Sequence, residues 1–130
     1  MALAALLLAT APLTLGAPVA HAATTTLSPV ADSYVRADQP TVNFGTETSL
    51  RVDGDPVSVS YLRFNVEGVT GLVTKATLKV VSPISSTTPI NAKSVADTTW
   101  TETGVTYNTA PAVGATVASD TPSMTNDVLS

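Results

Sequence analysis

The chain has 130 residues, ten acidic and six basic side chains for a net charge of −4, one histidine and no cysteine. Cysteine nucleophiles, disulfides and cysteine-ligated zinc are therefore excluded, and the acidic balance argues against nucleic-acid binding, which draws on a basic stripe. All six basic residues fall between Arg36 and Lys93, so a local basic patch stays open.

The N-terminus reads as a secretory signal peptide over residues 1–22. Leu3 to Leu15 is an apolar run too short to span a bilayer as a helix, and Ala20-His21-Ala22 is a small-x-small cleavage site. Only Met1 and Ala2 precede the run, without a basic region, which places the expected true start upstream. A buried N-terminal helix is the alternative. Cleavage removes His21 and leaves about 108 residues, one small domain with no histidine for a Ser-His-Asp triad and no His or Cys for zinc. Its stability must come from a core, with an oxygen-ligated metal as an option.

In the mature chain, Leu27 to Val35 reads as a first strand interrupted near Pro29. Ala37 to Thr48 is a turn-rich loop in which Asn43 and Gly45 suit positive φ. Ser49 to Val66 reads as a hairpin turning at Asp53-Gly54-Asp55-Pro56. Its alternation predicts Leu50, Val52, Leu62, Phe64 and Val66 inward, and Arg51, Asp53, Tyr61, Arg63 and Asn65 outward. A turn region around Gly68 and Gly71 precedes a half-buried strand at Lys75 to Val81. Lys93 to Ala96 and Val113 to Ala118 are further strand candidates, and residues 119–130 read as a polar tail. No helical period occurs after Thr24. The β-branched, Thr-rich pattern predicts an all-β antiparallel sandwich over residues 23–118, incomplete at its C-terminal end for want of an apolar last strand.

The succession Ala31-Asp32-Ser33-Tyr34-Val35-Arg36, Asn43-Phe44-Gly45, Leu50-Arg51-Val52-Asp53-Gly54, Tyr61-Leu62-Arg63-Phe64-Asn65-Val66, Ala76-Thr77-Leu78-Lys79 and Trp100-Thr101-Glu102-Thr103-Gly104-Val105-Thr106-Tyr107-Asn108-Thr109-Ala110-Pro111 resembles the DNRLRE domain, grouped with the family 96 carbohydrate-binding modules. The resemblance covers roughly Thr24 to Ala118. It implies a secreted jelly-roll sandwich carried by a larger bacterial extracellular protein, with polysaccharide as partner and acidic polymers such as alginate as the substrate class. The acidic balance leaves no nucleic-acid partner expected, and no membrane association is expected after signal cleavage. Members continue for several strands past the Asn-x-Ala-Pro block, where this chain has a short tail.

Arg51, Tyr61, Arg63 and Lys79 form the candidate ligand-binding set. A guanidinium fits a uronate carboxylate bidentately, and an aromatic ring gives a sugar a flat face. The alternative is a row of solvated strand residues paired with Asp53, Asp55 or Glu67. Trp100 and Tyr107 are either a stacking platform or, as favoured here, core anchors. Asp32, Asp38, Asn43, Asp53 and Asp55 offer oxygen ligands for a structural Ca²⁺, with Asp32, Asn43, Asp53 and Asp55 as the chosen set; plain turn chemistry explains Asp53 and Asp55 as well. A carboxylate pair such as Glu47 and Glu102 could in principle hydrolyse glycosides, but with no histidine and no recognisable motif the chain reads as a non-enzyme. The rival to a carbohydrate-binding module is a structural or adhesive spacer domain of a larger extracellular protein.

Overall fold

A computed structural model describes residues 23–122 and 126–129. The expected signal peptide lies outside the described residues. The described chain is all-β, with no helix and seven antiparallel strands: β1 (Ala31–Arg36), β2 (Asp53–Gly54), β3 (Val57–Arg63), β4 (Leu78–Val81), β5 (Ile90–Val95), β6 (Val113–Asp120) and β7 (Asn126–Leu129). They form three sheets in the orders β1-β3-β2, β4-β7 and β5-β6, and β6 also lies beside β7. The arrangement is consistent with a β-sandwich.

The three-stranded sheet holds the core. The β1–β3 ladder pairs Ala31 with Arg63, Ser33 with Tyr61 and Val35 with Val59, so these six side chains share one face. That face is closed by a loop: Val35, Tyr61 and Val105 form the buried cluster, with Val59, Val95, Trp100 and Ala110 packed around it. β1 alternates strictly between buried and half-buried residues, as a strand with one dry face should.

The hairpin turns where the sequence places it. Gly54 opposes Val57, leaving Asp55 and Pro56, joined by a cis bond, as the two-residue loop. The inward face, however, is the opposite of the expected one. Tyr61 is only 6% exposed, whereas Leu62 and Phe64 are half-buried and Val66, Val52 and Leu50 are exposed. Burying a phenol is acceptable here because its hydroxyl donates to the Pro111 carbonyl at 3.0 Å.

Two other expectations change. Gly68 and Gly71 do take positive φ, but Asn43 and Gly45 do not. Asn126–Leu129, within the segment read as a polar tail, pairs with β4 along its whole length. Backbone hydrogen bonds recruit that strand, and such bonds leave little trace in hydropathy.

Val35 is 1% exposed at the centre of the cluster, so Val35→Ala removes two methyl groups from a site with little room to collapse. A loss of about 2 kcal/mol is expected in urea unfolding.

Candidate functional site

The loop that closes the core also borders a recess. Trp100 meets Tyr61 edge-on, with ring centroids 5.9 Å apart and planes at 65°. The Arg63 guanidinium lies 5.5 Å from the Trp100 ring centroid, a cation–π distance. Its Nη1 donates to the carbonyls of Thr98 and Trp100 at 2.8 Å each. A shallow cleft of about 240 Å³ opens beside the indole, lined by Thr99, Trp100, Thr101, Gly104, Val105 and Thr109. Threonine hydroxyls around one aromatic ring match the mixture of hydroxyls and C–H faces on a pyranose.

Arg63 keeps a usable edge. Among the described residues its Nε and Nη2 have no hydrogen-bond partner, and no buried side-chain nitrogen or oxygen lacks one, so this edge is not sealed from solvent. The pair Nε–H and Nη2–H is a fork that fits a carboxylate. Among the described residues, the ion pairs are Arg36–Asp38 at 2.7 Å and Arg51–Asp53 at 3.1 Å. Arg63 therefore carries positive charge that no carboxylate of the described residues pairs with. Asp97, three residues before Trp100, is turned to the Thr99 hydroxyl and amide, which hold its carboxyl below the usual range.

The loop is held in place by residues of the connection between β1 and β2. Asn43 Nδ2 donates to the Glu102 and Val105 carbonyls at 2.8 and 2.7 Å, and its Oδ1 accepts from Gly45 N at 3.1 Å. Gly45 is required by close approach, since a Cβ there would collide with the Glu102 carbonyl. Glu102 in turn accepts from the Asp32 amide through Oε2 at 3.2 Å. The Asn-Phe-Gly and Trp-Thr-Glu blocks, far apart in sequence, are thus two halves of one clamp.

The predicted ligand set does not assemble. Tyr61 and Arg63 lie on the core side of the sheet, where Tyr61 is buried and Arg63 is half-buried. Arg51 lies on the other side: its backbone N and O are bridged by Ser60 Oγ at 3.1 and 2.8 Å, and Ser60 alternates with Tyr61 along β3. Lys79 is exposed on β4, in a different sheet. Trp100 anchors the core while also lining the cleft; Tyr107 is 40% exposed.

The four proposed calcium ligands do not fit one coordination shell. Asp32 opposes Leu62 and Asp53 opposes Ser58, a separation of roughly 13 Å along β3, with two strand spacings, about 10 Å, across it. Ligands of one Ca²⁺ sit within about 2.6 Å of the ion. Asn43 is committed to the clamp, and Asp53 accepts from the Asp55 amide and from Arg51, which hold its carboxyl below the usual range. No group of three or more His, Cys, Asp or Glu suited to a metal occurs among the described residues.

Gly45→Ala should cost about 1–3 kcal/mol in urea unfolding, because the Glu102 backbone must move to admit the methyl group. Tyr61 gives a pH prediction. Burial, with a smaller contribution from Tyr107, raises its phenol above the ordinary 10.0. A raised folded-state value means that the neutral form is the one the fold favours, so this contribution is intact below pH 10.0 and is lost as pH rises through the folded-state value. Stability should fall across that window in the wild type, and the part due to this phenol should be absent in Tyr61→Phe, measured by urea melts at a series of pH values.

No curated protein matches the sequence closely enough to count as a relative. The profile of carbohydrate-binding module family 96 matches residues 23–128, a span that takes in the clamp, the Trp100 cleft and most of β7. The chain belongs to carbohydrate-binding module family 96.

Proposed function

We propose that the protein is a secreted, non-catalytic module that binds acidic polysaccharide such as alginate, with a uronate carboxylate on the free edge of Arg63 and the sugar ring at the Trp100 cleft. The observation that carries this reading is the pairing of an arginine fork, unpaired with any carboxylate among the described residues, with the indole that lines the recess. Nη1 is fixed by two carbonyls, so the fork is oriented before any ligand arrives and loses little rotamer freedom on binding. Exposed Lys79 on β4 adds positive charge for long-range attraction.

Secretion is supported by the start of the family match at residue 23, one position past the expected cleavage after Ala22. A place within a larger extracellular protein is supported by apolar side chains left in water, with Leu72 at 90%, Val81 at 79%, Val117 at 67% and Ile84 at 66% exposure. A non-catalytic role is supported by the family and by the positions of Glu47 and Glu102: Glu47 is exposed, and Glu102 is used in the clamp.

Affinity electrophoresis tests the reading. Mobility should fall in gels containing alginate and much less in gels containing a neutral glucan. Arg63→Gln should weaken alginate binding about tenfold or more, the scale of one lost charge-assisted hydrogen-bond pair. Wild-type protein that runs unretarded on every acidic polymer would favour the spacer reading.

A further inference from the structure

The face of the three-stranded sheet turned away from Trp100 carries an aromatic ring, serine hydroxyls and two ion pairs. Tyr34 opposes Ser60 and Arg36 opposes Ser58 on one side of β3. On the other side Asp53 opposes Ser58, and Arg51 lies beside Ser60, whose hydroxyl bridges its backbone. Two rows therefore cross the sheet, Tyr34-Ser60-Arg51 and Arg36-Ser58-Asp53, roughly 7 Å apart along the strands and about 10 Å long; Ser58 is itself buried, with its hydroxyl on the Pro56 carbonyl, so the second row meets solvent only at its two ends. That is an area suited to one or two pyranose rings.

The aromatic member is held firmly. Phe44 stacks on Tyr34, with centroids 4.5 Å apart and planes at 14°, so the phenol ring does not have to be ordered by a ligand. The polar members come as pairs. Arg36 donates to Asp38 through Nε at 3.0 Å and Nη2 at 2.7 Å, and Arg51 Nη2 donates to Asp53 at 3.1 Å. Asp38, Arg51 and Asp53 side chains remain 42%, 46% and 38% exposed, whereas Arg36 is 19% exposed and meets the surface chiefly through its aspartate.

Each pair cancels its own charge while keeping oriented donors and acceptors at the surface. A sugar hydroxyl both donates and accepts, and can be satisfied by such a pair. A uronate carboxylate approaching either guanidinium meets an aspartate already there. The charge pattern of this face thus complements an uncharged sugar, the reverse of the unopposed Arg63 fork.

We propose that the Tyr34, Arg36–Asp38 and Arg51–Asp53 face is a second subsite, which takes neutral pyranose units. It shares with the reading above only the premise that the chain binds polysaccharide, and it stands independently of the Arg63 site. Two subsites on opposite faces would let one module contact two chains, or two stretches of one chain, with the gain in avidity that linked sites give.

The test is a backbone-amide NMR titration of the protein with alginate oligosaccharides and with the same oligosaccharides after carboxyl reduction, which keeps ring and linkage but removes the charge. The reduced ligand should move the Tyr34, Arg51, Asp53 and Ser60 resonances saturably. The double variant Arg51→Gln, Asp53→Asn, which preserves net charge but dissolves the pair, should weaken its binding at least fivefold. Alginate binding that fails while these shifts persist would count against the Arg63 site and support this one. Shifts from the reduced ligand confined to the Trp100 loop, or none at all, would overturn the proposal whether or not the variant folds.

Discussion

The seating of Trp100 and Val105 on the inward face of β1 and β3 is the contact on which the rest of the structure depends. Val105 joins Val35 and Tyr61 in the buried cluster, and Trp100 closes its edge against Tyr61 and under Arg63. Among the described residues few side chains are fully buried, so this loop supplies a large part of the apolar contact available to the sheet. Loops are ordinarily poor core elements because their backbone polar groups need partners. Here the Asn43 carboxamide and the Arg63 guanidinium satisfy four such carbonyls: Glu102, Val105, Thr98 and Trp100.

That arrangement couples folding to recognition. The indole and Val105 line the cleft with one part of their surface and pack in the core with another. A side chain fixed by the core is a rigid platform, and a rigid platform binds without an ordering cost. Charge is sorted in the same way. The chain is acidic overall, yet two of its three arginines are neutralised by neighbouring aspartates and, among the described residues, the third is held by carbonyls alone. Net charge would not identify a site for an anion; the local pairing does.

Much of the architecture was legible in the sequence. The Thr-rich alternation announced an all-β chain, the Asp-Gly-Asp-Pro cluster placed the hairpin, and Gly68 and Gly71 marked a turn region, where the structure adds positive φ at both. The inward face of β3 was not legible, for a physical reason. Both parities of Val57 to Val66 carry large apolar side chains, and period two shows that the faces differ without saying which is dry. A tyrosine whose hydroxyl finds a carbonyl can go inward as readily as a leucine, and Tyr61 does. The candidate site was read in part. Arg63 and Trp100 were both singled out, but their union needed a contact between residues 37 positions apart. Asn43 and Gly45 were read as turn formers, because a carboxamide clamp and a close backbone approach depend on a partner segment that local pattern does not contain.

Trp100 is the sole tryptophan of the chain, so its fluorescence reports on the cleft without interference. The most direct measurement is a titration of that emission with a defined mannuronate or guluronate oligosaccharide. The account predicts a saturable change in emission that Arg63→Gln abolishes or shifts to much higher ligand concentration. Binding detected by calorimetry under the same conditions, with Trp100 emission unchanged, would contradict it.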